Sequence, residues 1–301
     1  MELVKLKPAV KDYIWGGKTL KNWGKESETE TIAECWELSF NEAGPCLIDD
    51  GSKEPKALKD VATKEDLGTK VIKFPFFPVL IKLIDSDSNL SVQVHPSDEY
   101  ALKNEGQYGK TEMWHIIAHK KGAGIYLGFK RGTSEEELRE ALKNNTVEDF
   151  LNFIPVKDGA TYFIPSGTVH AIGGGVTLIE IQQNSTLTYR LYDYGRLGKD
   201  GKPRELHVDK AMKVVNFKKF TPTTFEDGVL GKSDYFYVTE KDVNPGDALI
   251  AKKDSFLSFT VISGEGKVNE LSYKKGDTFF LPASKKAIFD GTAHLVLTEV
   301  R

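Results

Sequence analysis

Three polar side chains, Ser91, Gln93 and His95, alternate with Val92 and Val94 in the stretch LSVQVHP. At the two-residue period of a β-strand, all three point to one face and both valines to the other. Glu112 opens a later apolar stretch, EMWHIIAH, and His170 begins another after the turn at Pro165. One amide oxygen, two imidazoles and one carboxylate, brought together inside a small barrel, make an oxygen- and nitrogen-rich donor set suited to a borderline divalent metal. Zinc fits that set best, with three or four protein ligands and one position left for water or substrate. The ligand types leave manganese, cobalt, nickel and iron open. Taken singly, each histidine reads as a hydrogen-bonded, partly buried side chain and Glu112 as a solvent-facing acid. The combination carries the inference. The other histidines stay outside it: His115 falls on the strand face opposite Glu112, His119 ends that strand, His207 precedes a helix and His294 lies far downstream.

The elements that must position these residues are mainly short strands. FFPVLIKLID, LSVQVHP, EMWHIIAH, AGIYLGFK, ATYFIP, VTLIEIQ and LTYRLYDY are separated by Gly, Pro and Asn/Asp turns. Helical patches interrupt them. TSEEELREALKNN has Thr133 or Ser134 as a cap, acids in its first turn and apolar positions at Leu138 and Leu142. NTVEDFLNFI reads as its continuation, giving a short helical insertion over 134–153. HVDKAMKVVNF places Val208, Met212 and Val215 on one helical face. Many short strands with turn residues between them predict a sandwich or barrel.

A weak internal repeat sharpens the fold. DGATYFIPSGTVHAIGGG, from Asp158, aligns without gaps with KGDTFFLPASKKAIFDGT, from Lys275. Gly159 meets Gly276, Thr161 meets Thr278, Phe163 meets Phe280 and Pro165 meets Pro282. A strand ending at a Pro turn before another strand resembles the second half of a cupin barrel. The expected architecture is therefore mainly β: two jelly-roll barrels in tandem, over 1–216 and 217–301. In this register His170 meets Ala287, so the second barrel is degenerate and without metal. One metal per chain is expected, in the first barrel.

Composition narrows the function classes. A length of 301 residues suggests about two domains at ~150 residues each. The net charge of -3 gives no general drive toward nucleic acid or an anionic membrane. Cys35 and Cys46 are spaced like neither a metal pair nor a disulfide framework and read as reduced structural thiols. No stretch approaches the ~18 apolar residues of a membrane span, and MELVKLKPAVKDYIWGGKTL lacks the apolar core of a secretory signal. The expected setting is cytoplasmic, with a small molecule as partner and a monomer or homodimer as the assembly.

LSVQVHP, GKTEMW, IPSGTVHAIGGG and TYRLYDYGR, with YIWGGKTL and AECWELS nearer the N-terminus, resemble the signatures of type I phosphomannose isomerases in their short bacterial form. The resemblance runs over nearly the whole chain. It implies a tandem cupin whose zinc is held by Gln93, His95, Glu112 and His170. It implies an aldose–ketose isomerase that interconverts mannose 6-phosphate and fructose 6-phosphate, moving a proton between C2 and C1 through a cis-enediol. Such chemistry needs a Lewis acid, a base beside C1 and C2, and cations for a phosphate dianion. By the same resemblance Lys82, Lys110 and Arg190 surround the sugar phosphate, Ser91 faces its phosphate, and Lys110 and Arg190 join Glu180 in catalysis. Glu180, in VTLIEIQ, is the expected proton-transfer base, although its spacing from His170 departs from the family by one residue. Arg196, in DYGR, has two readings: closure over the phosphate, or a structural salt bridge. Two other functions fit a metal cupin, a dioxygenase and a non-catalytic sugar-phosphate-binding protein. Gln93 among the ligands and Lys110 beside Glu112 oppose the first, and the complete ligand set with Glu180 opposes the second.

Overall fold

In the computed structural model, which describes residues 1–198 and 200–301, strands between Ala9 and Tyr192 form two antiparallel sheets that face each other. The six-stranded sheet runs Thr161–Ile164, Glu112–His119, Val176–Gln183, Val79–Ser86, Glu34–Leu38 and Ala9–Lys11 in spatial order. The five-stranded sheet runs Tyr189–Tyr192, Val92–Val94, His170–Ile172, Gly124–Phe129 and Leu151–Pro155. Trp114, Ile116, Leu178 and Ile84 from one sheet and Ile125, Leu127 and Ile172 from the other pack together between them. The fold is the expected cupin-type barrel.

The outer face of each sheet is covered as well, for different reasons. Val92, Val94, Ala171 and Leu191, on the outside of the five-stranded sheet, pack under Leu138, Val147, Ala211 and Met212 of the helical segments. The six-stranded sheet instead turns Ile81, Leu83, Met113, Ile117, Ile179 and Ile181 toward Phe236, Val238, Phe256, Phe280 and Val296 of the second barrel. Cys35 and Cys46 are free and buried in this same seam. Burial pushes the Cys46 thiol up to about 12 and that of Cys35 in the same direction, so both are inert packing groups. With both faces buried, the six-stranded sheet's strands read as near-continuous apolar runs.

The second barrel is built on a nine-stranded sheet that includes Val229–Lys232, Tyr237–Val243, Lys286–Glu299, Leu257–Val268 and Thr278–Leu281. The repeat seen in sequence is structural. Gly159 and Gly276 both take a positive φ, +81° and +89°, at the turn that launches equivalent strands, a conformation glycine adopts without strain. The amides after Pro165 and Pro282 close matching turns. Ala287 is buried in the apolar core of the second barrel, among Phe259, Phe279 and Phe289.

Two expectations need revision. The chain does not divide cleanly at 216: Val4–Lys7 pairs with Thr278–Leu281, Val4 opposite Phe280, and Leu47–Ile48 extends the same sheet. A Val-Lys-Leu-Lys alternation carries no mark of which sheet it will join. The insertion over 134–153 is also helical only in part. Glu135–Lys143 is a helix with the expected capping box, Ser134 with Glu137. The segment after it forms a single 3-10 turn, Val147–Phe150, and then the strand Leu151–Pro155. Asn145, at φ +57°, ends the helix in the left-handed conformation that asparagine tolerates.

The seam between the barrels predicts a measurable cost. Phe280 is fully buried there and stacks on Phe256 with ring centroids 5.1 Å apart. Phe280→Ala should destabilise the protein by about 3–5 kcal/mol, read from urea unfolding; a loss below 1 kcal/mol would show that the seam relaxes around the cavity.

Candidate active site

The site lies on two facing rows of side chains. In the five-stranded sheet Gln93 sits directly opposite His170 on one side and Arg190 on the other. In the six-stranded sheet Trp36, Lys82, Glu180 and Trp114 form one continuous cross-strand row, and Glu112 faces Gln182 beside it. Directly opposed residues share a face, so the pairing registers alone aim all of these into the barrel.

His95, Glu112 and His170 are buried, and their ligand atoms lie within 4.8 Å of one another. Each ring is held through Nδ1 by a main-chain carbonyl: His95 by Leu187 at 2.7 Å, His170 by Thr168 at 2.8 Å. Donation from Nδ1 leaves each Nε2 lone pair facing Glu112, at 3.6 Å from His95 and 3.3 Å from His170. This is the outer-shell arrangement that orients metal-binding histidines. Gln93 completes the group, its Nε2 lying 3.3 Å from His170 Nε2; turning the amide over presents Oε1 instead. Glu112 Oε1 is buried with no hydrogen-bond partner. A buried carboxylate oxygen left unpaired among imidazole nitrogens is costly unless a cation takes it. The residues therefore fit a divalent metal.

Electrostatics point the same way. Burial, with the Lys110 ammonium next in effect, holds His95 well below its ordinary value. Burial lowers His170 to about 4. Burial and the Glu180 charge raise Glu112 to about 7, against the pull of Lys110. Both imidazoles are thus neutral, as a metal ligand must be.

Above these ligands opens a cavity of about 420 Å³. Its lining includes five cationic side chains, Lys11, Lys82, Lys110, Arg190 and Arg204, against two carboxylates, Glu34 and Glu180. Ser91 and Gln93 reach the same space. Lys110 donates to Glu112 and, at 3.3 Å, to Glu180, and lies 3.2 Å from His95 Nε2. Lys82 sits 3.3 Å from Glu180 and 3.4 Å from Glu34. Trp114 Nε1 donates to Glu180 at 2.9 Å and Trp36 Nε1 to Glu34 at 2.6 Å. Burial opposes ionisation of Glu180, but Lys110, Lys82 and the Trp114 indole together bring it down to about 2. Arg190 Nε is buried without a partner.

One expected residue is elsewhere. Arg196 does not line this cavity; it donates to Asp193 at 2.5 Å and to the Asn89 carbonyl. Tyr194 and Gly195 both take positive φ, 58° and 63°, and this turn folds Arg196 back onto Asp193. In this structure Arg196 is engaged in a salt bridge with Asp193. The cavity's second arginine is Arg204, held on Asp193 through Nε and one terminal nitrogen at 2.7 and 2.6 Å. Sequence reading also missed the wall of Tyr13, Trp15 and Trp36. Alternation on ECWEL offered a signal, since Glu34 and Trp36 share a face there.

Comparison with known proteins agrees with this geometry. A family model for the phosphomannose isomerase type I catalytic domain matches residues 3–112, and one for the mannose-6-phosphate isomerase cupin domain matches 227–299. The mannose-6-phosphate isomerase ManA of Bacillus subtilis is 36% identical over 290 residues, covering 92% of this chain and 91% of its own. The crystal structure of a mannose 6-phosphate isomerase from Bacillus subtilis superposes with a TM-score of 0.86 at 34% identity, covering 99% of both chains. A mannose 6-phosphate isomerase structure bound with zinc and yttrium shares the fold at a TM-score of 0.78 and 17% identity, covering 100% of both chains.

His170 supplies a direct check. In chelator-treated protein its ring should stay neutral as pH falls, titrating near 4 by NMR rather than near the ordinary 6.5. An ordinary midpoint would show that the ring is hydrated and not held in a dry ligand pocket.

Proposed function

The chain belongs to the type I phosphomannose isomerase family, and we propose that its first barrel interconverts D-mannose 6-phosphate and D-fructose 6-phosphate with Glu180 as the proton-transfer base. The single observation that carries the reading is one cavity, beside the His–His–Glu cluster, that sets five cations against two carboxylates, Glu34 and Glu180. Gln93, His95, Glu112 and His170 would hold one divalent metal, zinc, and the second barrel's interior would hold none. When bound, the metal supplies Lewis-acid polarisation of the oxygens on C1 and C2.

The chain's own residues account for the remaining requirements. Arg190 and Arg204 take the phosphate dianion at the cavity mouth, with Ser91 as a hydroxyl partner. Arg204 thus fills the role expected of Arg196. Arginine's fixed fork suits such contacts. Lys82 and Lys110 lie deeper, on either side of Glu180, and steady negative charge developing on the sugar oxygens. Glu180 removes the proton from C2 or C1, carries it across one face of the cis-enediol and returns it to the neighbouring carbon. Two ammonium groups make it a weak base in the free protein. A phosphate dianion entering the same cavity offsets that positive field and raises its affinity for a proton. The reduced thiols fit a cytoplasmic enzyme, and among the described residues no helix is long and apolar enough to cross a membrane.

Glu180→Gln keeps shape and hydrogen bonding but removes the basic oxygen. The variant should stay folded, retain its metal and bind mannose 6-phosphate, yet lose about a hundredfold to ten-thousandfold in turnover. Solvent deuterium should cease to enter the sugar. Turnover within about tenfold of wild type, with deuterium still incorporated, would move the base elsewhere and leave Glu180 as the acid that positions Lys82 and Lys110.

The two arginines separate a contact from a brace. Arg190→Ala should lower kcat/KM about tenfold to a hundredfold, the equivalent of ~1.5–3 kcal/mol for a hydrogen bond to a charged group, with metal content unchanged. Arg196→Ala should leave kcat/KM within about threefold, because Arg204 still holds Asp193. Equal effects of the two substitutions would return Arg196 to the phosphate site.

A further inference from the structure

We propose that His115, Glu240 and His294 form a second divalent-metal site, set in the seam between the two barrels rather than inside either. His115 lies on the outward face of Glu112–His119, opposite Glu112, and is 1% exposed. Glu240 and His294 come from the neighbouring strands Tyr237–Val243 and Lys286–Glu299 of the second barrel, near-opposed in register: Glu240 faces Val296, and His294 faces Asp242. The three ligand atoms lie within 4.8 Å of one another.

The anchoring repeats that of the first cluster. His115 Nδ1 is 2.9 Å from Thr161 Oγ1, and His294 Nδ1 is 2.9 Å from Asp242 Oδ1. Each ring is thereby fixed through Nδ1 with Nε2 left to face the cluster, and His294 Nε2 stands 3.3 Å from Glu240. The Asp242–His294 pair is a carboxylate–histidine support of the kind that orients metal ligands. Burial keeps His115 below its ordinary pKa, so one imidazole is neutral and available at neutral pH. Two histidines and one carboxylate suit zinc, cobalt or nickel, with water completing the shell.

The setting assigns a role different from that of the first site. Glu240 and His294 lie at the solvent rim, so the ion would exchange readily and touch no substrate. It would instead tie the catalytic barrel's sheet to the second barrel. A ligand that binds only the folded form adds stability in proportion to the logarithm of its concentration.

The test uses holoenzyme whose first site is already filled, titrated with zinc by calorimetry and with cobalt by visible absorption. Wild type should take up one further equivalent, and its thermal midpoint should rise with added zinc. His294→Ala and Glu240→Gln should abolish the further equivalent and the zinc-dependent rise, with isomerase activity at fixed metal content unchanged. Asp242→Asn should weaken the second binding about tenfold to a hundredfold. Uptake that stops at one metal per chain, or a second equivalent that persists in both His294→Ala and Glu240→Gln, would overturn the proposal and leave His294 and Glu240 as a surface ion pair.

Discussion

Along Glu112–Ile117 and Leu178–Gln183 the side chains are buried and enter one of two interiors. Glu112, Trp114 and Ile116, like Leu178, Glu180 and Gln182, belong to the barrel. Met113 and Ile117, with Ile179 and Ile181, belong to the seam against the second barrel. A slip of one residue in either strand would exchange the two sets. Glu112 and Glu180 would then meet apolar rings from the second barrel, and methionine and isoleucine would line the cavity. Few sheets are specified so strongly, because most have a solvent side that forgives error. Here the second barrel contributes no side chain to the cavity, yet it holds the catalytic register in place by removing that solvent side.

The same enclosure makes the charge network expensive. Lys82, Lys110, Glu112 and Glu180 are all buried. Ions in such a place are tolerated only when paired and hydrogen-bonded. Glu180 satisfies two ammonium groups and an indole at once, while Glu34 shares Lys82 and is steadied by Trp36. The result is an array of positive charge fixed before any ligand arrives. It needs no reorganisation when negative charge develops beside it.

The convergence of Gln93, His95, Glu112 and His170 was legible in the sequence because strand alternation and the turn after Pro165 are local rules. Ser91, Gln93 and His95 can share a face in only one way, and the same rule placed Glu180 with Gln182. The repeat exposed the second barrel and, through Ala287, its apolar interior. What stayed hidden depends on distant or folded-back chain. Arg204 lines the cavity while a turn at Tyr194–Gly195 folds Arg196 onto Asp193, and no local pattern distinguishes the two arginines. The strand Leu151–Pro155 resembled helix because Phe150, Leu151 and Ile154 carry a helical spacing, although the left-handed Asn145 has already ended the helix before them. His115 and His294 each look unremarkable in sequence, since their meeting requires two barrels to dock.

The pairing of Val4–Lys7 with Thr278–Leu281 bears on how the molecule is made. Lys5 reaches Asp277 across 272 residues of chain, so the strand finds its partner only after all of the intervening chain has been made. Contacts of such long sequence separation close late, after the loop entropy has been reduced by earlier structure. Until then the strand Val4–Lys7 lacks this partner and the apolar outer face of the six-stranded sheet lacks its cover. The strand Thr278–Leu281 would then act as the latch that joins the two barrels.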